Sequence, residues 1–342
     1  MRYLSILFPC ILLFSISAAG QSDFGTTAAT FLTIDMGARA RGMGSAFSSI
    51  ADDASGAYWN PAGLGHLQHT IIDYSYSDLL TSFHFNDISF ALHLNRWGAL
   101  HLSYKSLNMD DMQVTIESQP NGTGEWYDSG SSVTGLSYGK IFWNSLSAGI
   151  TAKYIKERIY SSDADAIAFD GGFIYTLPVY DVRFGLSFLN YGTSIKMKGI
   201  NHQFSIDLDP NIYGNNDPIN PDLITTEYDL PRLIRFGMSA DLFRKMNNVS
   251  LIIALDGVRP KDEHIYYNLG AEFGFKDVLF IRHGFIDFFE QIVQEKLSCS
   301  GFGIRLPILD VVAVRFDYSI QEVSWLNGDQ KMYSLGLELV NN

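Results

Sequence analysis

Val311–Gln321 reads VVAVRFDYSIQ. Val312, Val314, Phe316, Tyr318 and Ile320 alternate with Ala313, Arg315, Asp317, Ser319 and Gln321. Strand side chains point alternately to two faces, so this run predicts a strand with one apolar face and one small or polar face. The same period recurs upstream. In Asn144–Tyr154, Leu146, Ala148, Ile150, Ala152 and Tyr154 alternate with Ser145, Ser147, Gly149, Thr151 and Lys153. In Ala166–Leu177, Ile167, Phe169, Phe173, Tyr175 and Leu177 oppose Ala168, Asp170, Gly172 and Thr176. In Ile265–Phe275, Tyr267, Leu269, Ala271 and Phe273 oppose Asn268, Gly270, Glu272 and Gly274.

Fourteen such segments follow one another at roughly 71–80, 84–95, 97–107, 131–142, 144–158, 166–177, 181–191, 231–243, 248–258, 264–275, 278–288, 298–306, 311–321 and 331–340. Connections after even-numbered segments are all tight. Most connections after odd-numbered segments are longer, notably Asn108–Gly130, Ile159–Asp165 and Gly192–Leu230. Short turns at one end and long loops at the other describe an outer-membrane barrel. Segments of about ten residues fit a tilted spanning strand. Closing the sheet pairs every backbone donor and acceptor, as lipid demands. Period two alone does not say which face is out, and a soluble β-sandwich or barrel has the same alternation. The small-and-polar faces suit a crowded lumen behind an apolar wall. Tyr74, Tyr76, Trp97, Trp143, Tyr160, Tyr191, Tyr228 and Trp325 lie near segment ends, where amphipathic rings favour the headgroup level.

The rest of the chain agrees. It has 342 residues, 46% of them hydrophobic and 18% charged, with a net charge of −13. That apolar content excludes disorder. The acidic balance, with no Lys/Arg run beyond two, speaks against phosphate-dependent nucleic-acid binding. Arg2, an apolar run from Leu4 to Ile16 and Ser17-Ala18-Ala19-Gly20 form a secretory signal pattern, with cleavage expected before Gln21. Removal of residues 1–20 takes Cys10 away and leaves Cys299 without a disulfide partner. No later stretch approaches 18 consecutive apolar residues, so no spanning helix is expected. The export signal, the lone cysteine and the loop asymmetry decide for the membrane.

Residues 21–69 read differently. Strand alternation is absent, small residues dominate, and Asn60-Pro61-Ala62-Gly63 nearly closes the stretch. Pro61 pushes Asn60 away from helix, which predicts a turn. Such a segment ahead of a barrel is expected to fold into the lumen as a hatch. The domain plan is therefore signal peptide 1–20, hatch 21–69 and transmembrane barrel 70–342.

The run FLTIDMGARARGMGSAFSSIADDASGAYWNPAGLG (residues 31–65) resembles the N-terminal signature of the PorV/PorQ family of outer-membrane proteins, within the wider FadL-like superfamily. Asp229–Leu242, Leu255–Phe273 and Phe302–Ser319 are similar to that family too, so the resemblance covers most of the chain after residue 20. It implies a fourteen-stranded antiparallel barrel with an N-terminal hatch that contains Asn60, Pro61 and Ala62.

The candidate chemistry is sparse. Gly37, Gly42 and Gly44 lack the Gly-Lys-Ser/Thr and preceding strand of a phosphate loop. Arg39 and Arg41 are expected to pair with Asp52 and Asp53 inside the hatch, or with lumen carboxylates. His66 and His69 have a metal-ligand spacing but no third ligand nearby, so no metal or other cofactor is expected. His93, His101, Lys105, Lys153, Asp170, Arg235, Asp241, Glu272, Arg315, Asp317 and Glu338 are expected on the lumen face, with mutual pairing. The acidic Gly192–Leu230 loop matches no EF-hand spacing. No nucleophile and base stand at a catalytic spacing, so no enzyme activity is expected.

Long loops on a rigid scaffold are where recognition usually sits, which makes Trp126, Tyr127, Tyr213 and Tyr228 candidate partner-binding residues. The resemblance implies a role in type IX secretion. Loops would bind the C-terminal signal domains of exported proteins and deliver them to a surface attachment complex. The alternative is a FadL-like channel for hydrophobic small molecules. Outer-membrane lipid is the surrounding partner in both.

Overall fold

The computed structural model describes residues 25–79, 82–143, 145–177, 181–199, 225–243, 246, 248–288, 297–309, 311–323 and 328–339. The expected signal peptide lies outside them. Fourteen long strands form one closed antiparallel ring: β1 (Thr70–Leu79), β2 (Phe83–His93), β3 (Ala99–Met109), β4 (Ser129–Phe142), β5 (Leu146–Ile159), β6 (Ser162–Thr176), β7 (Arg183–Gly192), β8 (Leu233–Asp241), β9 (Val249–Pro260), β10 (Tyr266–Phe275), β11 (Leu279–Ile286), β12 (Leu297–Leu309), β13 (Val312–Val323) and β14 (Gly328–Leu339). Each strand pairs with its chain neighbours, and β1 closes on β14 with Thr70 opposite Leu339. No helix among the described residues is long and apolar enough to cross a membrane.

All fourteen strands expected from the alternation are present, with ends shifted by a few residues. The largest shift is at β6, which begins at Ser162, paired with Ile159 of β5. The connection expected over Ile159–Asp165 is therefore only a two-residue turn, Tyr160–Ser161. Asp163 and Asp165 read as loop residues, yet they continue the strand's outward face and are paired with Arg158 and Lys156. Loop asymmetry is concentrated in two connections, β3–β4 and β7–β8. Both lie at the end opposite Thr70 and Leu339.

The faces sort by chemistry. Ile150 (67% exposed), Leu136, Phe169 and Ile281 stand on the outside, among many large apolar residues. Ser137, Thr151, Asp170, Arg235, Asp256 and Glu272 are buried on the inside. A water-soluble barrel would have the reverse arrangement, so the outer wall is built to meet lipid. Near the Thr70 end, Trp97 and Trp143 are exposed on this wall, and Arg96 and Lys140 lie 5.2 Å from the Trp97 ring centre. Trp325 lies outside the described residues.

The N-terminal residues run inside the ring. Thr27 pairs with Asp229 of the β7–β8 connection, and Thr70 starts β1 at the opposite end. Between them lie short helical turns at Thr30–Thr33, Ala38–Gly42, Gly56–Trp59 and Pro61–His66. Short turns suit this stretch because its alanines, serines and glycines can approach the wall from any side. Phe47, Trp59 and Leu64 are fully buried there. Inward glycines on seven strands (Gly139, Gly149, Gly172, Gly185, Gly270, Gly284 and Gly301) meet atoms of the segment. At Gly149 a Cβ would overlap the Pro61 carbonyl, so only glycine permits this approach.

Candidate functional site

The N-terminal segment is held to the wall by side chains from both partners. Asn60 is wholly buried. Its Oδ1 accepts from Ala62 N at 3.0 Å and caps the Pro61–His66 turn. Its Nδ2 donates to the carbonyls of Ser48 (2.9 Å) and Phe173 (3.1 Å), so one amide joins two parts of the segment to β6. Pro61 begins the turn with the fixed φ that suits this position. Ala62 and Gly63 are buried beside it.

Charges complete the attachment. Arg39 makes paired contacts with Glu272 of β10, Nε to Oε2 and Nη2 to Oε1, both at 2.9 Å. Its Nη1 reaches Asp52 at 2.7 Å and Asp53 at 3.5 Å. Glu272 also accepts from Arg282 at 2.5 Å, and Arg282 reaches Asp317 at 2.6 Å. Arg315 binds Asp317 at 2.6 Å and approaches Asp53 at 3.8 Å. Arg183 closes on Asp52 at 3.3 Å. Four arginines and four carboxylates thus form one connected network between segment and wall. Burial opposes ionisation of Asp52, but Arg39 and Arg183 hold its carboxyl below the usual carboxylate range.

Arg41 differs from the expectation. It finds amide oxygens rather than a carboxylate: Nε and Nη2 donate to Gln321 Oε1 at 3.0 and 2.8 Å, and Nη2 also donates to Gln330. Gln321 is an inward residue of β13, which the alternation already placed. Asp256 was missed by motif reading. Its Oδ2 accepts from the backbone N–H groups of Phe47 and Ser48 at 3.0 and 2.8 Å. Arg282 was missed as well. For both, the signal is an inward position on an alternating strand.

Of the expected lumen residues, His101, Lys105, Asp170, Arg235, Glu272, Asp317 and Glu338 are buried on the inner face. Lys153 binds Asp170 at 2.6 Å. Lys105 donates to the Ile34 carbonyl at 2.7 Å rather than to an acid. Arg235 stacks 4.5 Å from the Trp59 ring centre. Asp241 does not join the lumen pairing. It accepts from Phe243 N and Leu251 N and so holds the β8–β9 turn. His66 ends a helical turn, and burial together with the Arg183 charge pushes its imidazole down to about 4.

The expected loop residues are not brought together. Trp126 and Tyr127 form a two-residue ladder with Met112 and Gln113, and Tyr127 packs edge-on against Tyr160 at 6.2 Å. Tyr228 pairs with Ile195 within the β7–β8 connection. Tyr213 lies outside the described residues.

Tyr228 instead lines a cavity of about 310 Å³ at the long-loop end. Ala28 and Ala164 line it on the segment and wall sides, and Ile195, Met197 and Tyr228 line it from the β7–β8 connection. Thr225, Thr226 and Glu157 supply its polar atoms. The Thr225 hydroxyl is already donated to the Met197 carbonyl at 2.8 Å. Beside the cavity lies an apolar cluster of Ala29, Phe31 and Leu32 against Val133, Ile155 and Ala166. The cavity's rim is tied down at Asp229, which accepts from Lys261 and from Arg232 (2.6 Å). The Lys261 hydrogen bond holds the Asp229 carboxyl down at about 2.

Such a ring has counterparts of known structure. The toluene transporter TbuX of Ralstonia pickettii aligns over 90% of this chain and 98% of its own, with a TM-score of 0.55 at 11% identity. The chain shares the fold of that transporter, a closed fourteen-stranded antiparallel β-barrel. The Pseudomonas putida toluene transporter TodX aligns over 89% of this chain and 96% of its own, with a TM-score of 0.54 at 11% identity. The monoaromatic hydrocarbon channel CymD aligns over 93% and 99%, with a TM-score of 0.53 at 12% identity. At these identities the likeness is one of fold. Residues 14–124 match the model of an uncharacterised protein family, UPF0164, which takes in the N-terminal segment and β1–β3. No curated protein matches the chain.

Proposed function

We propose that the protein is an outer-membrane channel for hydrophobic small molecules, with residues 25–69 acting as its hatch. The carrying observation is the cavity of about 310 Å³ between Ala28, Ala164 and the β7–β8 connection. Its walls are mostly apolar, and it lies at the end of the barrel that bears the long loops. Ligand sites are concave, mostly apolar and furnished with few polar groups. Below the cavity the hatch occupies the lumen, so passage requires it to shift. The fold shared with hydrocarbon transporters supports the same reading. The signal-like residues 1–20 and the apolar outer wall support residence in the outer membrane.

Uptake tests the reading. Cells making the protein are compared with cells lacking it for accumulation of a labelled alkylbenzene. Faster accumulation is expected, and Ala164→Phe, which fills the cavity, is expected to abolish the gain. Equal accumulation with and without the protein overturns the channel role.

A second reading rests on the PorV/PorQ-like signature at residues 31–65. In it the protein is a type IX secretion component whose loops bind the C-terminal signal domains of exported proteins. Affinity capture from mild-detergent outer membranes tests it. Co-recovery of exported proteins sharing one C-terminal domain supports this role, and recovery of the barrel alone removes it.

A further inference from the structure

Among the described residues, Glu157 is the one charged residue lining the mostly apolar cavity. It sits on β5, opposite Ser131 of β4 and Ala164 of β6. Its side chain is half-buried on the inner face of the strand. A carboxylate offers about four acceptor directions and, when ionised, no donor. An occupant of the cavity therefore meets mostly apolar walls and one acidic acceptor, with no cation among the described lining residues.

Size narrows the occupant further. An apolar cavity of roughly 150 Å³ holds one benzene. A cavity of about 310 Å³ is roughly twice that, which suits a substituted single ring or a compact two-ring molecule. A ligand carboxylate placed here would face Glu157 with no counter-charge in the lining. A hydroxyl or amine would instead donate to it.

We propose that this cavity selects neutral, ring-sized hydrophobic molecules that carry a hydrogen-bond donor, phenols foremost, and rejects carboxylates of the same size. This selectivity rests on the channel reading above. Glu157 and Ala28 of the N-terminal segment line the same cavity, so an occupant there would touch wall and segment together.

The test uses the full protein in detergent at pH 7.5, with calorimetric binding of 4-butylphenol, butylbenzene and 4-butylbenzoate. The phenol is expected to bind at least tenfold tighter than the benzoate, with the hydrocarbon between them. In Glu157→Gln, the benzoate is expected to come within about threefold of the phenol. In Glu157→Leu, the phenol's advantage over butylbenzene disappears while butylbenzene still binds. A benzoate that binds the unaltered protein as tightly as the phenol overturns the proposal, as does an unchanged ranking in Glu157→Gln. Unchanged thermal melting of the variants shows that their fold is kept. Persistence of all three ligands in Ala164→Phe places the site elsewhere and overturns this assignment, leaving the channel reading intact. Failure of every ligand to bind the unaltered protein counts against the channel reading itself.

Discussion

The carboxamide of Asn60 occupies the space that a side chain on Gly172 would need: a Cβ there would overlap Asn60 Oδ1. The adjacent Gly171 has open space at the same position, because it points to the other face. Gly172→Val is therefore expected to push the hatch off β6, whereas Gly171→Ala should leave it seated. Labelling of a cysteine placed at Ser48, on a Cys299→Ser background, reads the difference. Ser48 is wholly buried when the hatch is seated. Equal labelling in both variants would refute this close-packing account.

Glu272 serves two buried arginines at once. Glu272→Gln leaves Arg39 and Arg282 without their shared charge, and breaking a buried pair costs about 3–5 kcal/mol. Adding Arg39→Met to Glu272→Gln removes one stranded cation, so the double variant should be less destabilised than the sum of the singles. Urea unfolding in detergent micelles measures both. Strict additivity would show that the network is not coupled.

His66 gives the pH dependence a distinct window. Its folded pKa is depressed to about 4 by burial, and its Nε2 is buried without a hydrogen-bond partner among the described residues. The unfolded chain binds this proton below about 6.5, whereas the folded chain resists it. Stability from this group is thus full above about 6.5 and is lost as pH falls toward 4, by roughly 3 kcal/mol. His66→Leu should flatten the unfolding midpoint between pH 6.5 and 4.5. A slope unchanged by this variant would assign the effect elsewhere.

If the hatch must move for transport, pinning it should stop transport. Ala38 N donates to Ser334 Oγ at 2.9 Å, which joins the hatch to β14. Ala38→Cys with Ser334→Cys, on a Cys299→Ser background, is expected to block alkylbenzene uptake when oxidised and restore it when reduced. Undiminished uptake in the crosslinked protein would mean that the route bypasses a fixed hatch.

The outer wall makes a separate prediction. Leu136 is 58% exposed toward lipid, and Ser137 beside it faces the lumen. Leu136→Arg should cost about 2–4 kcal/mol near the bilayer midplane. Ser137→Ala loses only its hydrogen bond with Thr151 (2.9 Å), worth roughly 1 kcal/mol. Folding yields into liposomes rank the two.

The sequence by itself determined the strand count and the division of each strand into one apolar and one small or polar face, while the structure showed that the apolar face is outward. Alternation is a local property, and runs such as Val311–Gln321 carry it in full. It also marked residues 21–69 as something other than strand and suggested charge pairing for Arg39. Its largest boundary shift was at the start of β6. Asp163 and Asp165 sit on the outward face near the long-loop end, where charges are tolerated, and so they read as loop. The tertiary structure alone decided which partners meet. Arg39 and Glu272 are 233 residues apart in the chain, and Arg41 meets Gln321 across a similar span. Such pairings depend on the height and rotation of each strand around the closed ring, which no local period encodes. The cavity is non-local for the same reason. Ala28, Glu157, Ala164 and Tyr228 come from separate elements, and only barrel closure brings them around one space.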